Sequence, residues 1–89
     1  MQTYPTNQDK ELIEGFSKLQ NEKEISSFLR DLLTPAEKEE IPKRLQIVKM
    51  LLQGVPQRQI SEKLGVGIAT VTRGARELKK KNSAFRKLL

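Results

Sequence analysis

The chain has neither cysteine nor histidine among its 89 residues. Without cysteine there is no disulfide framework and no thiol chemistry. Without histidine, and with no carboxylates at metal-ligand spacing, no transition-metal site or resident cofactor suggests itself. The same lack leaves no convincing acid–base pair or nucleophile, so the chain does not read as an enzyme. No apolar run reaches the roughly 18 residues that span a membrane. The opening stretch MQTYPTNQDK lacks the apolar core of a signal peptide, and the expectation is a cytoplasmic protein. Internal repeats and low-complexity segments are also missing. A chain this short buries little core alone, so oligomerisation is expected.

Positive charge is plentiful. The net charge is +6, which favours an anionic partner, nucleic acid being the commonest. It is unevenly spread. Residues 57–89 hold nine Lys or Arg against Glu62 and Glu77, whereas residues 1–34 hold four basic and six acidic residues. Phosphate binding needs such a local concentration.

The stretch QRQISEKLGVGIATVTR, residues 57–73, organises the rest. Ile60 and Leu64 lie four apart on one helical face. Gly65 stands where the helix must stop and the chain must take a positive φ. Val66 can plug the corner, Gly67 can cap, and a second helix starts at Ile68. Its apolar side is expected to be Ile68, Val71, Ala75 and Leu78. Ser61 is small enough for the second helix to cross close over the first. A short helix, a Gly turn and a second helix over about 57–80 form a helix-turn-helix signal. The second helix of such a unit enters the DNA major groove. An ordinary helical hairpin fits the pattern alone, and the local charge favours the DNA reader. At helical spacing Thr72, Lys79, Arg76 and Ala69 share one flank of this helix, and Arg73, Glu77, Thr70 and Gly74 the other. One flank can face DNA while the other faces a pocket.

Residues 1–7 read as a flexible arm, and 8–89 as a single domain. A first helix is expected from about Gln8 to Glu22, with Leu12, Ile13, Phe16 and Leu19 as its apolar face and Gly15 marking a close contact. A break is expected at Lys23–Ser26, before a second helix with Ile25, Phe28, Leu29, Leu32 and Leu33. Thr34-Pro35-Ala36-Glu37 is a helix start: Thr34 caps, Pro35 suits the first position, and Glu37 completes a capping box. The third helix should bury Ile41, Leu45, Val48 and Leu52, with Ile47 and Leu51 beside them. Pro42 should kink or restart it, and Gly54 should end it. Lys79-Lys80-Lys81 is either a solvated helix end or a phosphate contact. Asn82 or Ser83 can cap a last short helix with Phe85, Leu88 and Leu89.

The stretch LLTPAEKEEIPKRLQIVKMLLQG, followed by PQRQISEKLGVGIATVTRGARELK, resembles the tryptophan repressor family of bacteria. LTPAE, RLQIV, QRQI and GIATVTRG carry the likeness, which runs from about Leu32 to Lys79. Residues 1–31 match only in character. The resemblance implies an all-α, intertwined homodimer with two helix-turn-helix reading heads. It implies double-stranded operator DNA as partner, no metal, and L-tryptophan as co-repressor, held between core and head. Trp repressors are themselves a standard example of this docking on DNA. In this chain the implied ligand residues are Leu33, whose carbonyl would take the ammonium, Thr34, Arg44 and Arg73 on either side of the indole, and Gly74. Alone, the two arginines would read as surface charges.

Departures bear on the ligand. Glu77 stands where the family has a small hydroxyl residue. It can bind the ligand ammonium, or pair with Arg73 and fill the pocket. Pro42 replaces a Gly, and the turn before Gln57 is one residue shorter. The reading is a tryptophan-activated repressor of tryptophan biosynthesis or transport genes. Its alternative is a related DNA-binding regulator that does not sense tryptophan, and a third is a protein-interaction module. Gln57 and Arg58 open the first reading helix, with Arg58 as the candidate for a guanine contact. Ile68, Ala69, Thr70 and Thr72 present the groove-facing surface. Arg76, Lys79 and Lys80 are expected at phosphates.

Overall fold

The computed structural model describes residues 3–89. Met1 and Gln2, part of the expected 1–7 arm, lie outside the described residues. The described residues form six helices: α1 (Asn7–Ser17), α2 (Glu22–Leu32), α3 (Pro35–Leu52), α4 (Gln57–Leu64), α5 (Ile68–Lys79) and α6 (Phe85–Leu88). The chain divides into an N-terminal unit that ends at Thr34 and a second unit, Pro35–Leu89.

Side-chain caps define the N-terminal unit. Thr6 and Asp9 form a capping box at α1: the Asp9 N–H donates to Thr6 Oγ1 at 3.1 Å, and the Thr6 N–H donates to Asp9 Oδ2 at 2.8 Å. The Thr6 bonds to its carboxylate hold Asp9 below the usual carboxylate range. The break between α1 and α2 falls earlier than the spacing suggested. α1 ends at Ser17, and Lys23–Ser26, expected to be the break, lies inside α2. Asn21 starts α2: its side chain accepts from the Glu24 N–H at 2.9 Å, and Glu24 Oε1 accepts from the Gln20 N–H at 2.8 Å. α1 closes at Lys18, whose N–H donates to Glu14 O and Gly15 O, and the Leu19 N–H donates to Phe16 O, so Leu19, whose apolar spacing suggested continuation, lies beyond the helix. Phe16 and Phe28 meet edge to face, centroids 5.0 Å apart. A Cβ on Gly15 would stand 3.5 Å from Phe28 Cζ, so the helices pass close there. No residue of α1 or α2 is buried. Leu12, Ile13, Phe16, Ile25 and Leu32 stay 38–47% exposed.

The second unit holds the core. Ile47 of α3, Ile60 of α4 and Val71 of α5 are essentially inaccessible, with Met50, Leu51, Val55, Leu64 and Val66 packed around them. Each such aliphatic side chain contributes roughly 1.5–3 kcal/mol on burial. Val48 and Leu78 complete the buried set. The stripe expected on α3 is thus rotated. Ile47 and Val48 are buried, while Ile41, Leu45 and Leu52 remain about two-fifths exposed. Nor does Pro42 restart the helix, since α3 runs through it. The carbonyl it leaves without a donor, that of Lys38, lies in a solvent-exposed stretch where water can serve it.

Two glycines close the helices flanking the connector. Gly54, at φ 83°, ends α3 with its N–H donating to Leu51 O and that of Val55 to Met50 O. Gly65, at φ 64°, ends α4 with its own N–H and that of Val66 donating to Ser61 O. A left-handed residue there satisfies carbonyls the helix end would orphan. Ser61 Oγ donates to Val66 O at 2.5 Å and locks the corner. Gly67 starts α5. Ile68, expected on the apolar side of α5, is 51% exposed. The last helix is capped by Ala84, with no side-chain bond from Asn82 or Ser83.

Candidate functional site

Helix α5 presents two chemically distinct flanks. Toward α3, Gly74 permits close packing: a Cβ there would lie 3.0 Å from Ile47 Cγ2. The expected role of Gly74, room for a ligand ring, is accompanied by this tight helix contact.

Beside that contact lies a cavity of about 420 Å³ lined from α3 by Arg44, Ile47 and Val48 and from α5 by Thr70, Arg73, Gly74 and Glu77. Its size is in the roughly 300–1,000 Å³ range of small-molecule sites. The four α5 residues are the flank that helical spacing separated from Ala69, Thr72, Arg76 and Lys79. Arg44 and Arg73, 29 positions apart in sequence, share the cavity. Thr70 lines it too, on the flank where helical spacing put it, although it was also expected to reach the DNA. Leu33 and Thr34 belong to the N-terminal unit, where Leu33 caps α2 and Thr34 precedes Pro35.

Glu77 pairs with Lys80, Nζ lying 2.9 Å from Oε2 and 3.1 Å from Oε1. Among the described residues Arg73 has no ion-pair partner, so the alternative in which Arg73 draws Glu77 across the pocket is not the arrangement seen. Glu40, Lys43, Val66, Gly67 and Phe85 also line the cavity and were not expected at the ligand site. Glu40, Ile47 and Val48 stand three or four residues from Arg44, a helical spacing that was readable, whereas Lys43 is its immediate neighbour. Val66 and Gly67 come in through the geometry of the turn, and Phe85 through the return of the chain after α5.

The opposite flank is open and cationic. Arg58, Ala69, Arg76, Lys79 and Lys80 are exposed. Thr72 Oγ1 stands 2.9 Å from Gln57 Oε1 and 3.0 Å from Ile68 O, tying the start of α4 to α5. Gln57 and Thr72 are accordingly half-buried, and Ile68 projects.

Residues 7–89 match the family model described as Trp repressor protein. A Trp operon repressor homolog of Vibrio vulnificus (strain YJ016) is 52% identical over 62 residues, 68% of this chain and 61% of that protein. The Vibrio cholerae homolog is 55% identical over 56 residues, covering 62% and 54%. One from Aliivibrio fischeri (strain MJ11) is 57% identical over 53 residues, covering 58% and 49%. The chain thus spans about half to three-fifths of the length of these relatives. No solved structure gives a significant match. With a family match across nearly the whole chain and an all-helical fold, the protein belongs to the Trp repressor family.

Proposed function

We propose that the protein is a homodimeric, DNA-binding transcriptional repressor of tryptophan biosynthesis or transport genes, acting in the cytoplasm with L-tryptophan as co-repressor. The convergence of Arg44 and Arg73 on one cavity carries this reading. Guanidinium groups stack favourably on an indole face, and Arg73 can grip a carboxylate through two parallel hydrogen bonds. Glu77 suits the ammonium. Its pair with Lys80 is largely exposed, hence weak, and a bound ammonium can replace it.

The DNA assignment follows from the opposite flank. α5 would enter the major groove with Ile68, Ala69 and Thr72 toward the bases and Arg76, Lys79 and Lys80 toward phosphates, while Thr70, in the first turn at the cavity's edge, would reach the bases from the boundary of the two flanks. Arg58 would read a guanine, with Gln57 fixed beside it by Thr72. Dimerisation is supported by the N-terminal unit, whose apolar residues have no buried position within the chain. A two-fold dimer would read a palindromic operator with half-sites about one helical turn apart.

Calorimetry with L-tryptophan tests the reading. Arg73→Leu should abolish tryptophan binding and, at saturating ligand, most operator affinity. Unchanged tryptophan binding by Arg73→Leu would remove the basis for placing the ligand here.

A further inference from the structure

Phe85 is half-buried against the cavity, although it lies six residues beyond the end of α5. The chain turns at Lys80–Ser83, where the Ser83 N–H donates to Lys80 O, and then comes back toward α5. A non-local bond holds it there: Arg86 Nε donates to Leu78 O at 2.9 Å in a partly buried setting. Leu78 itself is buried, so the anchor is fixed to the core. Among the described residues the aromatic pair is Phe16 with Phe28, leaving the ring of Phe85 without an aromatic neighbour. The rest of the lining offers aliphatic groups, guanidiniums and other polar or charged side chains but no other aromatic ring.

We propose that Phe85 is a ligand-contacting residue that forms an aromatic wall of the cavity and selects a flat aromatic side chain, and that Arg86 is the positioning residue that holds it. This deepens the tryptophan reading and rests on it. An indole lying between Arg44 and Arg73 would present its edge to the wall, and aromatic pairs favour such edge-to-face contact over simple area burial. The wall also takes the place of solvent on a side of the cavity that α3 and α5 leave open. Arg86 acts only through Phe85, since its contact is with Leu78 and it does not line the cavity.

The protein contains no tryptophan and a single tyrosine, so the emission of bound L-tryptophan reports the cavity directly. Titrations of the full chain with L-tryptophan should show Phe85→Ala weakening binding about tenfold, the upper end for a lost aromatic pair. The bound indole should emit further to the red, as water replaces the ring. Phe85→Tyr should restore both affinity and emission. Arg86→Ala should weaken binding less, and the double variant should bind no worse than Phe85→Ala alone. Unchanged affinity and emission in Phe85→Ala would overturn the proposal and leave the tryptophan reading intact, as would additive losses for the assignment of Arg86. Absence of binding by the unaltered protein would overturn the tryptophan reading and the wall with it.

Discussion

Gly74→Ala is a sharp test of how α5 seats on α3. In an open helix interior the change stabilises by about 1 kcal/mol, through backbone entropy and helix propensity. At Gly74 the new methyl would stand 3.0 Å from Ile47 Cγ2, 3.7 Å from Leu51 Cδ1 and 3.9 Å from Val48 Cγ2. Carbon atoms prefer roughly 3.5–4.0 Å, so Ile47 must give way. It is 1% exposed and packed with Ile60 and Val71, with little freedom to move. Overpacking a core costs typically about 1–3 kcal/mol. The two effects leave Gly74→Ala destabilising by about 1 kcal/mol. Gly15→Ala supplies the contrast, because its methyl would meet Phe28 Cζ at an ordinary 3.5 Å. That variant should gain most of the roughly 1 kcal/mol of propensity. Urea unfolding at matched protein concentration would read both, the m value staying constant. If Gly74→Ala stabilised as much as Gly15→Ala, the close seating of α5 on Ile47 would be refuted.

Arg58→Ala should cost roughly 1–3 kcal/mol on the cognate operator and relax specificity at one base pair, while Lys79→Ala should weaken all sequences alike and flatten the salt slope by about one unit; identical specificity profiles would contradict the division of roles. Leu29→Asp should unfold or aggregate the protein if α2 packs in the proposed dimer interface, since an unpaired buried charge costs several kcal/mol, on the order of a small domain's stability; a folded, active monomer in sedimentation would rule this out. The Thr6 bonds lower the Asp9 pKa below its ordinary 3.8, so the stability of this cap is complete above that value and is lost as pH falls through the lower folded value; amide NMR of Thr6 and Asp9 should show the cap opening only below pH 3.8.

Much of the second unit was legible because its signals are local. Gly54 and Gly65 take the left-handed conformations that helix ends demand, and Ile60, Val71 and Leu78 are buried as their spacing implied. The two flanks of α5 were readable from spacing too, and Arg73, Gly74 and Glu77 do line one cavity with Arg44. Errors arose where apolar spacing outweighed capping chemistry. Leu19 prolonged the first helix on paper, although Asn21 and Glu24 carry the cap that starts the second. On α3 the apolar residues lie nearly all round, so periodicity could not say that Ile47 rather than Leu45 faces the core. Phe85 was out of reach, because its place depends on a turn and on the bond from Arg86 to Leu78. Ile41, Leu45 and Leu52 remain exposed, beyond what one chain's packing can explain.

The most direct test of a tryptophan-gated reading head is the reciprocal titration of this protein with L-tryptophan and operator DNA at fixed salt. Arg44 on α3 and Arg73 on α5 would share one indole, so ligand binding should restrict the head and favour the spacing that DNA needs. Saturating tryptophan should then tighten operator binding, by roughly 5–150-fold for a typical coupling, and operator should tighten tryptophan binding by the same factor. Operator affinity unchanged by saturating tryptophan would contradict it.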